Sequence, residues 1–271
     1  MPTDIYKREA HKPAHRFMCH LFMRKIYLLP NLFTLGNIFF GFFSIISTIN
    51  GAYTRAAYAI VISAFFDVFD GQVARATNST SKFGVEFDSL ADLVSFGMAP
   101  GVLAYLWVLK PLGRFGWLGA FLFLVCGALR LARFNVQVEV VSSDRFIGLP
   151  IPCAAGMLAS TILFLEHYAE FIGAPHHYSF AIAVLVYMLA ILMVSNVRYR
   201  SSKMITLKGK SPFKIMVTAT VILIIVVSRP ELTLFIIGIT YTLLGLFESI
   251  PGLKKRVDSS QTGRDQTQNS E

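Results

Sequence analysis

The sequence predicts an all-α integral membrane protein: a bundle of about eight transmembrane helices preceded by an amphipathic segment on the membrane surface. Three observations predict it. Of the 271 residues, 54% are hydrophobic and only 15% are charged, whereas soluble domains carry about a quarter of charged residues. Mean hydropathy is +0.57. The apolar residues fall into runs close to the roughly 20 residues that a helix needs to cross the hydrocarbon layer, and basic residues flank those runs.

Residues 1–27 are mixed and basic, with Lys7, Arg8, Lys12, Arg16, Arg24 and Lys25. Phe17, Leu21 and Phe22 set against Arg16 and Arg24 give the pattern of a helix lying in the interface. The first apolar run starts too far from the N-terminus, and is too long, for a secretion signal, and no small-residue cleavage site follows it. Spans are expected at 28–50, 54–74, 84–108, 116–134, 148–165, 178–196, 212–228 and 231–250, giving a transmembrane domain over 28–250 that holds every candidate catalytic residue. Residues 251–271 are polar and rich in Ser, Gln and Thr, the composition of a disordered tail.

The net charge of +9 suits either nucleic acid or anionic lipid. Its placement at the ends of apolar runs selects membrane phospholipids and excludes nucleic acid. With the N-terminus in the cytoplasm and eight spans, Arg75, Lys82, Arg130, Arg133, Arg145, Arg198 and Lys254 join the N-terminal basic cluster on one side. Only Arg55, Lys110, Arg114 and Arg229 fall on the other. That asymmetry puts both termini, and the loop between the second and third spans, in the cytoplasm. The cysteines (Cys19, Cys126, Cys153) have no ligand spacing, and the six histidines lie outside the apolar runs. A Cys or His metal site within the bundle is therefore not expected.

The chain has 16 acidic residues, and five crowd into 67–92: Asp67, Asp70, Glu86, Asp88 and Asp92. The i, i+3 and i, i+4 spacings of Asp67/Asp70 and Asp88/Asp92 place each pair on one helix face. The short link between the two helices turns those faces toward each other. Four ionised carboxylates in an apolar setting repel and resist desolvation. Hard divalent cations, Mg²⁺ or Mn²⁺, are the matching counter-charge for oxygen ligands. Two such ions would stabilise the attacking and leaving oxygens of a phosphoryl displacement. Gly71, Gly84 and the small Ala74 let a substrate approach the backbone, and Arg75 can grip a phosphate through two N–H groups. Glu86 is offset from Asp88 by two residues and belongs to another face.

At these positions the sequence resembles the CDP-alcohol phosphatidyltransferase family, whose signature is D-x-x-D-G-x-x-A-R, eight residues, then G-x-x-x-D-x-x-x-D. Asp67, Asp70, Gly71, Ala74, Arg75, Gly84, Asp88 and Asp92 match every fixed position. The resemblance implies a two-metal site on Asp67, Asp70, Asp88 and Asp92, with Asp92 the base on the acceptor hydroxyl and Asp88 beside it. It implies contacts of Gly71, Ala74, Arg75 and Gly84 with the CDP part, and homodimerisation. The stretches Pro30–Asn37, Arg130–Asn135, Gly148–Pro152 and Ser195–Tyr199 resemble the bacterial and archaeal serine-using branch. That implies transfer from CDP-diacylglycerol to L-serine at the bacterial inner membrane, with the active site facing the cytoplasm. Asn31 and Thr34 are expected near the cytidine. Arg130, Arg133 and Asn135 are expected near the serine carboxylate, although arginines at cytoplasmic helix ends also satisfy the positive-inside pattern. Other acceptors (glycerol 3-phosphate, inositol phosphate, choline) share the signature. A cation transporter is the alternative from another class, but it usually holds its carboxylates near mid-membrane and in repeated halves.

Overall fold

The computed structural model describes residues 13–77, 81–138, 145–173, 175–200 and 228–248. Among the described residues there are seven principal helices: α1 (Pro13–Ile49), α2 (Tyr53–Ala76), α3 (Lys82–Leu112), α4 (Arg114–Val138), α5 (Ile151–His167), α6 (Ser179–Val194) and α7 (Pro230–Glu248). Four segments are long and apolar enough to cross a membrane: Asn31–Ile49, Tyr53–Ala76, Lys82–Leu112 and Arg114–Val136. The apolar helices Ile151–His167, Ser179–Val194 and Pro230–Gly245 are shorter. The protein is an all-α membrane bundle. Each helix coincides with an expected span. The expected span at 212–228 lies, but for its last residue, outside the described residues, as do the tail at 251–271 and residues 1–12.

The expected division between a surface segment ending at 27 and a first span is not a break in the backbone. α1 is one helix of 37 residues. Pro30 lies inside it and removes the single N–H that would bond to the Ile26 carbonyl, and the good helix formers around it carry the helix through. α3 also differs from a plain span. It contains wide π-helical turns at Leu93–Met98 and Tyr105–Leu109. Ala99 N–H bonds to the Val94 carbonyl, and Lys110 N–H to that of Tyr105. Each wide turn runs up to a proline, Pro100 or Pro111, which has no N–H for the carbonyl four residues back, so the ladder re-forms with the longer ring.

α3 is the central helix. Two-thirds (67%) of its most apolar window is buried, against 33% for each of the other long spans. Phe96, Leu103 and Leu109 of α3 pack with Ile60, Phe123, Leu158, Ile162, Leu189 and Met193 of the helices around it. Phe39, Phe65, Phe115, Phe121 and Phe180 point outward, which lipid chains tolerate and water would not. α1 and α2 pack through the ring pairs Phe40/Phe66 and Phe33/Phe69, with centroids 5.3 and 6.2 Å apart. α5 meets α7 through stacked Phe164 and Phe235 at 4.5 Å. The Tyr58 hydroxyl donates to Glu231 Oε1 at 2.6 Å, tying the start of α7 to α2.

Two glycines set close approaches. A Cβ on Gly41 of α1 would lie 2.7 Å from the Ser95 Cα, so only glycine lets α1 come this near to α3. Gly148 has φ +85° and donates its N–H to the Val197 carbonyl at 2.8 Å. This closes a short antiparallel ladder, β1 (Arg145–Ile147) with β2 (Arg198–Arg200), the one strand pairing among the described residues. The ladder gathers the loop before α5 and the loop after α6 at one end of the bundle.

Gly41→Val should cost about 1–3 kcal/mol through overpacking. The expected reading is a lower melting temperature of the detergent-solubilised protein. An unchanged melting curve would show that α1 and α3 can part without loss.

Candidate active site

The end of α2 and the start of α3 are brought side by side by a five-residue connection, 77–81. Ser81 caps α3, its Oγ accepting the Gly84 N–H at 2.9 Å. The capped helix presents Asp88 and Asp92 toward the α2 face that carries Asp67 and Asp70. Asp67, Asp70 and Asp88 each place a carboxylate oxygen within 4.8 Å of the others. Asp92 stands beside this trio, its carboxyl meeting that of Asp67, while Asp88 meets Asp70. Asp70 and Asp92 are buried, at 4% and 8% exposure.

Neutral donors from α1 reach two of the four carboxyls. Thr34 Oγ1 donates to Asp70 Oδ2 at 3.1 Å, and Asn37 Nδ2 donates to Asp92 Oδ1 at 3.1 Å. Arg130 of α4 lies within electrostatic reach of Asp92 and Asp67, but one guanidinium cannot balance four carboxylates. Asp88 Oδ1 is buried and, among the described residues, has no hydrogen-bond partner. A buried, partnerless carboxylate oxygen is costly. Three converging carboxylates, one with such an oxygen and none accompanied by sulfur or imidazole, fit a hard divalent cation.

The residues expected around a nucleotide surround this cluster. A Cβ on Gly84 would lie 3.6 Å from Asn31 Oδ1, so α1 and α3 adjoin there. The Arg75 guanidinium folds over Gly71, 3.5 Å from where a Cβ would be. Ala74 is half-buried, one turn beyond Asp70. The three expected acceptor residues divide. Arg130 faces the carboxylates. Arg133 donates to Asn196 Oδ1 at 2.9 Å and binds the end of α6. Asn135 Nδ2 donates to Ser89 Oγ at 3.0 Å, joining α4 to α3. Glu86 is exposed. Cys153 of α5 and Tyr241 of α7 touch each other next to Arg130.

Sequence reasoning missed Asn37, which is fully buried, and its partners Ser63 and Ser95. The signal was present. Thr34, Asn37, Ser44 and Thr48 recur at three-, seven- and four-residue steps in an apolar helix, and all are buried. In a bilayer such a stripe must turn inward.

Residues 27–186, which include all four aspartates, match the family model described as CDP-alcohol phosphatidyltransferase. The chain belongs to the CDP-alcohol phosphatidyltransferase family. Its similarity to this phosphatidyltransferase family extends to individual relatives. It is 39% identical over 221 residues to the CDP-diacylglycerol–serine O-phosphatidyltransferase of Helicobacter pylori, covering 82% of this chain and 90% of that protein. It is 32% identical over 232 residues to the protein of the same name from Methanocaldococcus jannaschii, covering 85% and 98%. To the Bacillus subtilis protein of that name it is 41% identical over 126 residues, covering 46% and 70%. The match to the phosphatidyltransferase family ends within α6, so α7 lies beyond it.

Adding Mn²⁺ or Mg²⁺ to the purified protein should raise its melting temperature, by the equivalent of about 2.7 kcal/mol at one hundred times the dissociation constant. Asp88→Asn should lose most of that rise. Equal rises in the two proteins would remove Asp88 from the cation site.

Proposed function

We propose that the protein transfers the phosphatidyl group of CDP-diacylglycerol to L-serine, giving phosphatidylserine and CMP for phospholipid biosynthesis. The observation that carries this reading is the convergence of Asp67, Asp70 and Asp88 within 4.8 Å, with Asp92 held alongside by a neutral donor. The names of the relatives from Helicobacter pylori and Methanocaldococcus jannaschii support serine as the acceptor. The basic residues at the helix ends support a site open to the cytoplasm of a bacterial inner membrane, with both termini on that side. The family resemblance supports a homodimer.

Asp67, Asp70, Asp88 and Asp92 would hold two divalent ions, Mg²⁺ or Mn²⁺, which when bound neutralise the pyrophosphate and stabilise the departing oxygen. The chain's own groups do the remaining work. Asn31, Gly71, Ala74 and Gly84 line the approach to the cytidine and phosphates, with Thr34 holding Asp70 next to them. Arg75, on the exposed end of α2, swings from Gly71 to grip a phosphate through two N–H groups. Arg130 binds the serine carboxylate beside Asp92 and Asp67. Asp92 takes the proton of the serine hydroxyl. The serine oxygen forms its bond to the phosphorus that carries diacylglycerol, and the bond from that phosphorus to the CMP oxygen breaks, its electron pair leaving with CMP. Asp92 then releases the proton to water.

The decisive assay is the lipid made from labelled serine by the purified protein with CDP-diacylglycerol and Mn²⁺, run beside glycerol 3-phosphate, inositol phosphate and choline. Phosphatidylserine and equimolar CMP are expected. A product from another alcohol, and none from serine, would reassign the acceptor. Asp92→Asn should lower kcat by about 10²–10⁴-fold, the usual worth of a general base. Arg130→Ala should raise the serine KM far more than that of CDP-diacylglycerol, and Arg133→Ala should not. Equal effects of the two arginines would remove Arg130 from the acceptor site.

A further inference from the structure

We infer that Asn37 is a positioning residue for the transfer step: with its amide oriented by Ser63, it fixes the plane of the Asp92 carboxyl and so the direction in which the base meets the acceptor. The inference rests on the reading of Asp92 as that base.

The two ends of the Asn37 side chain are chemically distinct, and the surroundings settle which faces which. The Ser63 hydroxyl lies 2.5 Å from Asn37 Oδ1 and 3.0 Å from the Asn37 main-chain oxygen. The main-chain oxygen can only accept, and the hydroxyl shares its one proton between it and Oδ1, the end of the amide left over once Nδ2 donates to Asp92. This holds the oxygen end of the amide toward α2 and turns the NH₂ end toward Asp92 Oδ1, at 3.1 Å. The reverse orientation would set an amide oxygen against a carboxylate oxygen at the same distance, with no proton between them. A carboxyl group turns freely about its Cβ–Cγ bond. Pinning Oδ1 fixes that rotation and thereby aims the lone pairs of Oδ2.

Asn37 is itself held from two sides. Its main-chain oxygen also accepts the Ser95 hydroxyl at 3.0 Å. Ser63 stands one turn before Asp67 on α2, and Ser95 stands three residues past Asp92, in the wide turn Leu93–Met98 of α3. The helices that carry the cation ligands and the base are thus registered against one buried residue of α1. Asp88, by contrast, keeps a buried oxygen with no protein partner. Asp92 Oδ1 is thus held by a protein donor, as Asp70 Oδ2 is by Thr34, while Asp88 Oδ1 is left bare. Removing such an outer partner typically costs 10–100-fold in activity, because orientation errors of 10–20° already degrade a catalytic group.

The test compares Asn37→Leu, Ser63→Ala, Ser63→Thr and Asp92→Asn in the full-length protein in lipid nanodiscs, measuring kcat, both KM values and melting temperature. With kcat of Asp92→Asn lowered about 10²–10⁴-fold, Asn37→Leu should lower kcat about 10–100-fold while both KM values stay within about twofold. Ser63→Ala should lower kcat about fivefold, the worth of one neutral hydrogen bond, and Ser63→Thr, which keeps the hydroxyl, should restore it. A kcat for Asn37→Leu within twofold of the unaltered protein, or a loss accounted for by less folded protein at unchanged kcat per folded molecule, overturns the inference. Should Asn37→Leu not fold, the Ser63 pair decides: equal kcat for Ser63→Ala and the unaltered protein overturns it. High activity in Asp92→Asn is a different result, which removes the base assignment and the inference with it.

Discussion

Four carboxyl groups meet inside a bundle whose outer surface is hydrocarbon, and desolvation and mutual repulsion both oppose their ionisation there. The structure around them answers that cost in graded ways. Asp70 and Asp92 each receive one neutral donor from α1. Asp67 and Asp92 share the field of Arg130. Asp88 keeps an oxygen that the protein leaves bare. Lysines in place of Thr34 and Asn37 would offset half of the cluster's charge and fill space a divalent ion needs. Neutral donors orient the carboxyls while leaving their charge available to a divalent cation.

The same constraint explains what could be read from the sequence. An aspartate is so costly in an apolar run that four of them, at spacings that put pairs on single faces, announced both the site and the helices that carry it. Serine, threonine and asparagine cost far less, so the α1 stripe gave a weaker signal, and Asn37 emerged only when its partners on α2 and α3 were seen. The arginines show a different limit. Arg130 and Arg133 are one turn apart on the same helix, and spacing alone does not say that one reaches inward to Asp92 while the other binds Asn196. That choice depends on where the end of α6 lies, a contact across 63 residues of chain. The β1–β2 ladder is non-local in the same way. The wide turns of α3 had a visible cause in Pro100 and Pro111, yet a proline predicts a disturbed ladder rather than which disturbance results.

Placement of the carboxylates separates phosphoryl transfer from ion transport. Asp67 and Asp70 lie in the later part of α2 and Asp88 and Asp92 in the first part of α3, so the cluster is near the end of the bundle where the two helices join. A conducting path would need ligands continuing through the bundle. Beyond Asp92 the interior of α3 is instead closed by Phe96, Leu103 and Leu109, all fully buried. Among the described residues of α3, no acidic side chain follows past Asp92.

α7 adds a final constraint. It lies outside the region matched to the family, yet it is fastened at two levels: Glu231 to Tyr58 near its start, and Tyr241 to Cys153 beside Arg130 further along. A helix attached only for bulk would need apolar contact alone. Tyr241 instead brings a hydroxyl next to Arg130, the arginine within electrostatic reach of Asp92 and Asp67. The carboxylates thus receive two neutral donors from α1 and the field of one cation, Arg130, from α4. In the transfer proposed above, an acceptor bearing a carboxylate of its own would be drawn to Arg130 and would present its hydroxyl to Asp92.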